Sequence, residues 1–210
     1  MTTTDPDLDP DLDPKLDPKL DPAPTGAGVD LERAERAARE FLLALGMDLG
    51  RDGRDRTPGR MARAYAELVT PRAFEATTFA NDEGYDELVV VDGVDFVSVC
   101  EHHLLPFMGK AAVGYLPGDR IVGLSKLARV VELFSRAPQV QERLTAQIAS
   151  WLERELAPRG VGVVLVAEHS CMTLRGAKAA GSVTTTSAMR GLLRDDLRTR
   201  AEFLALVRGR

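Results

Sequence analysis

Three histidines and two cysteines are all that this 210-residue chain holds of either type, and all five fall in two short segments. "VSVCEHHLLPFMGK" carries Cys100, His102 and His103; "VAEHSCMTLRG" carries His169 and Cys171. Cys100 and His103 stand as C-x-x-H, a step that lets both side chains reach one ion from a turn. Cys171 can bring a third ligand from a distant strand. Two thiolates and an imidazole suit zinc, and three protein ligands leave a fourth position for water. Such an open position marks a catalytic site, because zinc brings bound water toward a pKa of about 7. If residues 161–171 form one strand, His169 and Cys171 point to the same side of it, one for metal and its neighbour for protons. Spacing alone leaves two other readings open. One is a structural zinc site with His102 or His169 as fourth ligand; the other is a pair of buried cysteines with no metal.

A polar group follows in "GLSKLARVVELFSRAPQVQERL". Ser125, Lys126 and Arg129 sit at or just inside a predicted helix start, where free backbone donors and the helix dipole favour a phosphate. A solvated basic helix face reads equally well from this stretch. Arg175, four residues after Cys171, is a further candidate anion clamp. Glu142 opens the next helix, where a carboxylate is routine electrostatics. As a binding residue it would accept two hydrogen bonds from a planar N–H array such as the N1 and amino group of guanine.

The elements that must position these residues read as α+β. Asp30 is a plausible N-cap for a helix whose Leu31, Ala34, Ala38, Phe41, Leu42 and Leu45 share a face, with Gly46 as its stop. "TPGRMARAYAELVTP" predicts a second helix, with Thr57 as N-cap, Pro58 at its first position and Pro71 closing it. After Gly84, "ELVVVDGVDFVSVC" and "GKAAVGYLP" read as strands. "SKLARVVELFSR" and "PQVQERLTAQIASWLEREL" read as amphipathic helices. "VGVVLVAEHSC" and "SVTTTSAMRG" read as strands, and a last helix runs from about Asp195 to Arg208. Strands and helices come in separate runs, which predicts an antiparallel sheet with helices rather than β-α-β alternation.

Composition bounds the rest. The net charge of −5 is carried by residues 1–22, with seven Asp against two Lys, so the body is neutral and has no basic excess for nucleic acid. Residues 1–28, built on a D-P-x-L repeat, are expected to be disordered, because proline recurs too often for a helix and lone leucines bury too little. A partner-docking tail is the functional alternative for them. Residues 29–83 form the expected N-terminal helical region and 84–210 the expected catalytic domain. No apolar run approaches the roughly 18 residues of a membrane span. The N-terminus lacks a secretory pattern, so a cytoplasmic location with free cysteines is expected.

The pieces together resemble the GTP cyclohydrolase I family. "CEHHLLPF", "GLSKLARVVE", "PQVQERLT", "EHSCMTLRG" and "SVTTTSAMRG" stand in the family's order and spacing, and the match runs from "TPGR" near Thr57 to "AEFL" near the C-terminus. The resemblance implies a zinc site of Cys100, His103 and Cys171. It implies His102, His169 and Ser125 as catalytic groups, with His169 protonating the purine imidazole ring. Glu142, with Gln141 beside it, matches the guanine-recognition position. Lys126, Arg129 and Arg175 match, with Ser125, the lining of a ribose-triphosphate pocket. Arg60 resembles an arginine that reaches the triphosphate from a neighbouring subunit.

The implied reaction opens the imidazole ring of GTP, releases formate and rearranges the product to 7,8-dihydroneopterin triphosphate, at the head of pterin and folate synthesis. The implied architecture is the tunnelling fold, an antiparallel sheet backed by helices. Its subunits join into a toroidal homodecamer with active sites between them. Two rivals define what must be distinguished. A nitrile reductase of queuosine synthesis shares the fold but needs a cysteine nucleophile and a nicotinamide cofactor, not a C-x-x-H pair with a distant cysteine. A zinc-stabilised pterin or nucleotide binding module would keep the pocket and tolerate loss of His102 and His169.

Overall fold

The alternation of side chains along the third long segment explains the layers of the molecule. In Pro106–Leu116, Phe107, Ala111, Val113 and Tyr115 join one apolar core, while Ala112 and Leu116 join a second on the opposite face. A strand covered on both faces reads as a near-continuous apolar run, as this one does.

The computed structural model describes residues 28–208, so the expected tail lies outside the described residues except for Gly28. In chain order the elements are α1 Leu31–Ala44, α2 Thr57–Val69, β1 Thr78–Ala80, β2 Val89–Cys100, β3 Pro106–Leu116, β4 Arg120–Val122 and α3 Leu124–Ser135. There follow β5 Pro138–Gln139, α4 Gln141–Leu156, β6 Gly160–His169, α5 Ser170–Thr173, β7 Thr184–Gly191, α6 Leu192–Asp195 and α7 Leu197–Arg208. The main sheet has the order β5-β2-β3-β6-β7 and is antiparallel apart from β5, which runs parallel to the end of β2. The result is the expected α+β architecture, an antiparallel sheet backed by helices.

Most elements lie where periodicity places them, and the differences have local causes. Asp30 caps α1 by accepting the Arg33 N–H at 2.9 Å. Thr57 is the first residue of α2 rather than its cap, and its hydroxyl accepts from the Arg60 guanidinium at 3.1 Å. Pro138 and Gln139 are not helical; they add two parallel pairs to β2 before α4 begins. Within residues 29–83 there is also a strand, β1, whose partner β4 is forty residues away, so no local pattern announces it.

The large core lies between the sheet and α3 with α4, where Leu127, Val131, Phe134, Leu144, Ile148 and Leu152 meet Phe107, Val113 and Tyr115. On the other face, α6 and α7 cover only one end of the sheet, with Leu193 and Phe203 fully buried. Near the opposite end that face is open, and Met108 is 55% exposed. Phe203 fits because Gly114 and Gly162 are paired directly opposite each other. A Cβ on Gly162 would lie 2.7 Å from the Phe203 ring and 2.7 Å from Leu193. Gly162→Val is therefore expected to lower stability by about 1–3 kcal/mol through overpacking, read as a fall in the urea midpoint; an unchanged midpoint would show that α7 is not seated in this slot.

Candidate metal centre and substrate site

Two turns bring the sulfur and nitrogen ligands together. β2 ends at Cys100, and the chain reverses into β3 through a turn closed on Cys100 itself. The Cys100 carbonyl accepts from the N–H groups of His103 (3.3 Å) and Leu104 (2.8 Å), and the Cys100 N–H donates to the Leu105 carbonyl at 2.9 Å. Leu104 takes a left-handed conformation, φ 53°, which costs a residue with a side chain about 1–2 kcal/mol. The Tyr65 hydroxyl of α2 donates to the Leu104 carbonyl at 3.1 Å and ties that strained residue to the helical region. The turn leaves His103 Nδ1 3.8 Å from Cys100 Sγ.

The third ligand arrives differently from the expectation of a single strand over 161–171. β6 ends at His169, and Cys171 lies in the short helix α5. The reason is visible at the bend: Ser170 donates its hydroxyl to the Pro106 carbonyl at the start of β3, which holds the chain where it leaves the strand. His169 and Cys171 thus approach from two kinds of element, not from one face of a strand.

The ligand atoms of Cys100, His103 and Cys171 all lie within 4.8 Å of one another. Zinc with bonds of about 2.3 Å to sulfur and about 2.0 Å to nitrogen sets tetrahedral neighbours about 3.5–3.8 Å apart; Cys100 and His103 already stand 3.8 Å apart, and Cys171 lies within 4.8 Å of both. Burial pushes the Cys171 thiol up, with the neighbouring Cys100 adding to the rise and Arg175 opposing it. Two thiols facing each other in this way are what a divalent cation relieves, taking up the thiolates as their protons leave. The donor set and its spacing fit zinc.

The two other histidines flank these candidate ligands. The His169 ring stacks on Phe107, with centroids 4.5 Å apart and planes 5° from parallel. Burial lowers its pKa, and the charge of Glu142 partly offsets that. His169 Nε2 lies 2.7 Å from Gln141 Oε1. Gln141 was expected beside the guanine; it is instead 1% exposed, with its amide engaged inside the protein. Glu142 stays exposed in the first turn of α4.

His102 is 65% exposed, with Nε2 3.7 Å from a carboxylate oxygen of Glu101. Glu101 pairs with Arg143, whose hydrogen bond holds the carboxyl below the usual range against a smaller opposing effect of burial. Arg143 also donates to Gln139 Oε1 at 2.9 Å and the Pro138 carbonyl at 3.0 Å. The turn with the two histidines is thereby fastened to the start of α4.

Sequence reasoning missed Phe107, Glu101, Arg143 and Gln139 as members of this assembly. Only the register of β3 against β6, with Phe107 opposite His169, joins the stacked pair. Glu101 stood in full view between Cys100 and His102, but its partner is forty-two residues away.

The expected phosphate-binding residues divide. Arg175 is near enough to Cys171 for its charge to act on the thiol. Ser125 and Lys126 are at the far end of the sheet: α3 starts next to Val122, whose N–H donates to the Tyr115 hydroxyl near the end of β3. From Phe107 to Tyr115 an antiparallel strand spans about 27 Å. Arg129, one turn along α3, lines a cleft of about 710 Å³ with Val94, Phe96, Lys110 and Arg136. Arg60 folds back on its own helix start, donating to the Gly53 carbonyl at 2.6 Å. Within one chain, then, the metal ligands, both other histidines, Glu142 and Arg175 gather at one end, and Ser125, Lys126 and Arg129 do not join them.

Residues 34–208 match the family described as GTP cyclohydrolase I. GTP cyclohydrolase 1 of Aquifex aeolicus is 50% identical over 181 residues, covering 86% of this chain and 98% of its own length. That of Rhodopirellula baltica is 53% identical over 184 residues, 85% of this chain and 80% of its own. That of Mycobacterium tuberculosis strain H37Rv is 52% identical over 183 residues, 85% of this chain and 91% of its own.

The expected division between metal ligands and the other two histidines has a direct test in metal content. Cys100→Ala, His103→Ala and Cys171→Ala should each lose stoichiometric zinc after dialysis, whereas His102→Ala and His169→Ala should keep it. Zinc lost from His102→Ala or His169→Ala would make that residue a fourth ligand and the site a closed, structural one.

Proposed function

The chain belongs to the GTP cyclohydrolase I family, and from that premise we propose that it opens the imidazole ring of GTP by hydrolysis, releases C8 as formate and yields 7,8-dihydroneopterin triphosphate. The observation that carries the reading is the gathering of Cys100, His103 and Cys171 with His169 and Glu142 at one end of the sheet.

Zinc held by the three ligands would supply a Lewis acid that makes water a competent nucleophile at neutral pH. The protein's own groups do the rest. The Glu142 carboxylate accepts from guanine N1–H and the 2-amino group, a pairing that adenine cannot offer. His169, whose buried ring returns readily to the neutral form, delivers a proton to N7 as the C8–N bond weakens. His102, exposed beside the ligands, exchanges protons with solvent. Arg175 supplies positive charge next to the thiolates and the triphosphate.

Ser125, Lys126 and Arg129 serve the ribose and triphosphate of a neighbouring subunit's site. No side chain caps α3, which leaves its start open to an anion, although the Lys126 N–H already turns back to the Gly123 carbonyl at 2.8 Å. Their distance from the ligands of their own chain supports sites shared between copies, as do the unpaired edge of β7 among the described residues and the exposed Phe41, Leu174, Val183 and Leu197. Subunits joining edge to edge into barrels, stacked as a homodecamer, satisfy these surfaces, and Arg60 reaches the triphosphate from a further copy. None of the described helices is long and apolar enough to cross a membrane; a cytoplasmic location is part of the proposal.

Turnover of GTP, followed by dihydroneopterin product and formate, should vanish on zinc removal and return with zinc. Tight GTP binding by the zinc-loaded chain without product would identify a binding module instead. Shared sites give a second test: His169→Ala and Lys126→Ala chains, each nearly inactive alone, should regain a fraction of wild-type activity when co-assembled. Mixed assemblies as inactive as their parents would place both residues in one subunit's site.

A further inference from the structure

The direction of one hydrogen bond can be worked out from its surroundings. Gln141 has an amide nitrogen that only donates and an amide oxygen that only accepts. Its Nε2 lies 3.2 Å from the Leu165 carbonyl, 3.0 Å from the Thr184 carbonyl and 3.1 Å from Thr186 Oγ1. Rotating the amide by half a turn would set its oxygen against two carbonyl oxygens, the buried one of Leu165 and the part-buried one of Thr184, with no proton between them.

The hydroxyls around it agree. Thr145 has one proton, and it goes to the Gln141 backbone carbonyl at 2.7 Å. The 2.6 Å contact between Thr145 and Thr186 must then use the proton of Thr186, which leaves Thr186 Oγ1 free to accept from Gln141. With the amide nitrogen inward, its two hydrogens serve three acceptors, one of them shared; the reversed amide would offer neither carbonyl a proton. Gln141 Oε1 therefore faces His169 Nε2 as an acceptor at 2.7 Å, and that nitrogen must carry a hydrogen.

We infer that Gln141 is a positioning residue that fixes His169 as its Nε2–H tautomer, so that Nδ1 is the ring nitrogen that gives and takes the proton during catalysis. Phe107, stacked flat on the ring, blocks tilting, and the Gln141 contact blocks rotation about the bond to the ring. Neutral or protonated, the ring keeps its Nε2 hydrogen, which confines exchange to Nδ1. The assignment stands on the hydrogen-bond geometry; its catalytic consequence rests on the proposed GTP chemistry. It also changes the role expected for Gln141, from touching guanine to aiming the histidine that does.

The test uses the zinc-loaded, full-length wild-type assembly labelled with ¹⁵N-histidine, His169 being assigned by the resonances missing from His169→Asn. At a pH where the ring is neutral, the expected spectrum shows a protonated Nε2 and an unprotonated Nδ1. A protonated Nδ1, or an averaged mixture of tautomers, would overturn the assignment, and this reading needs no variant to fold. In Gln141→Ala that retains zinc and assembled size, kcat should fall about 10- to 100-fold, a share of what acid–base catalysis supplies, with KM for GTP changed by less than about twofold. Thr186→Val, which loosens the amide without touching His169, should show a smaller loss in kcat alone. A large rise in KM at constant kcat would return Gln141 to direct substrate contact and sink the positioning role. Should the wild-type protein show the Nε2–H tautomer yet leave GTP intact, the proposed function fails while the tautomer stands.

Discussion

Phe107 on β3 and His169 on β6 face each other across an antiparallel pair, ring flat on ring. That single pairing sets where β6 must end, and hence where the chain bends into the turn bearing Cys171. It also sets where β3 must begin, and hence how tightly the chain can reverse after Cys100. A slip of β6 by one residue would send His169 to the other face of the sheet, away from the Phe107 ring. Gly114 opposite Gly162, further along the same ladder, locks the register from the other end, because only there do two adjacent strands leave a slot for Phe203.

From that register the site follows as a meeting of ends. The close of β2 gives Cys100 and His103, the close of β6 gives His169, and the first turn of α4 gives Gln141 and Glu142. The two-residue strand β5 is what lets α4 start there, since it pairs with Val99 and Cys100 just before the helix begins. Glu101 and Arg143 then clasp the histidine turn to that helix. Side chains mounted on strand ends and a helix start are held more rigidly than side chains on a long loop would be. Ser125 and Lys126, proposed for the triphosphate, also stand on a helix start, but at the opposite end of the sheet. On the proposed reading, a chain built this way completes its site beside another copy.

Much of this was legible in the amino-acid sequence, for reasons that differ by feature. Cys100, His103 and Cys171 could be picked out because cysteine and histidine are so scarce in this chain that their clustering needs an explanation. The helices and long strands were legible because a core on one face imposes a period. The end of β6 was not legible, because "EHSC" continues the strand pattern and only the Ser170 contact with Pro106 interrupts it. β1 and β4 were hidden by their brevity and their separation. Gln141 was read from its neighbour Glu142, yet adjacent residues at a helix start point in different directions; Glu142 meets solvent and Gln141 meets the core. No spacing rule separates those fates, whereas the carbonyls of Leu165 and Thr184 do.

The central claim is that three protein ligands from two turns hold zinc with one position left for chemistry. Zinc-edge X-ray absorption on the full chain tests it most directly. The account predicts two sulfur neighbours at about 2.3 Å and two nitrogen or oxygen neighbours at about 2.0 Å, with one of the light neighbours lost or altered when GTP is added. A shell of fewer than two sulfurs, or a shell that GTP leaves unchanged, would contradict it.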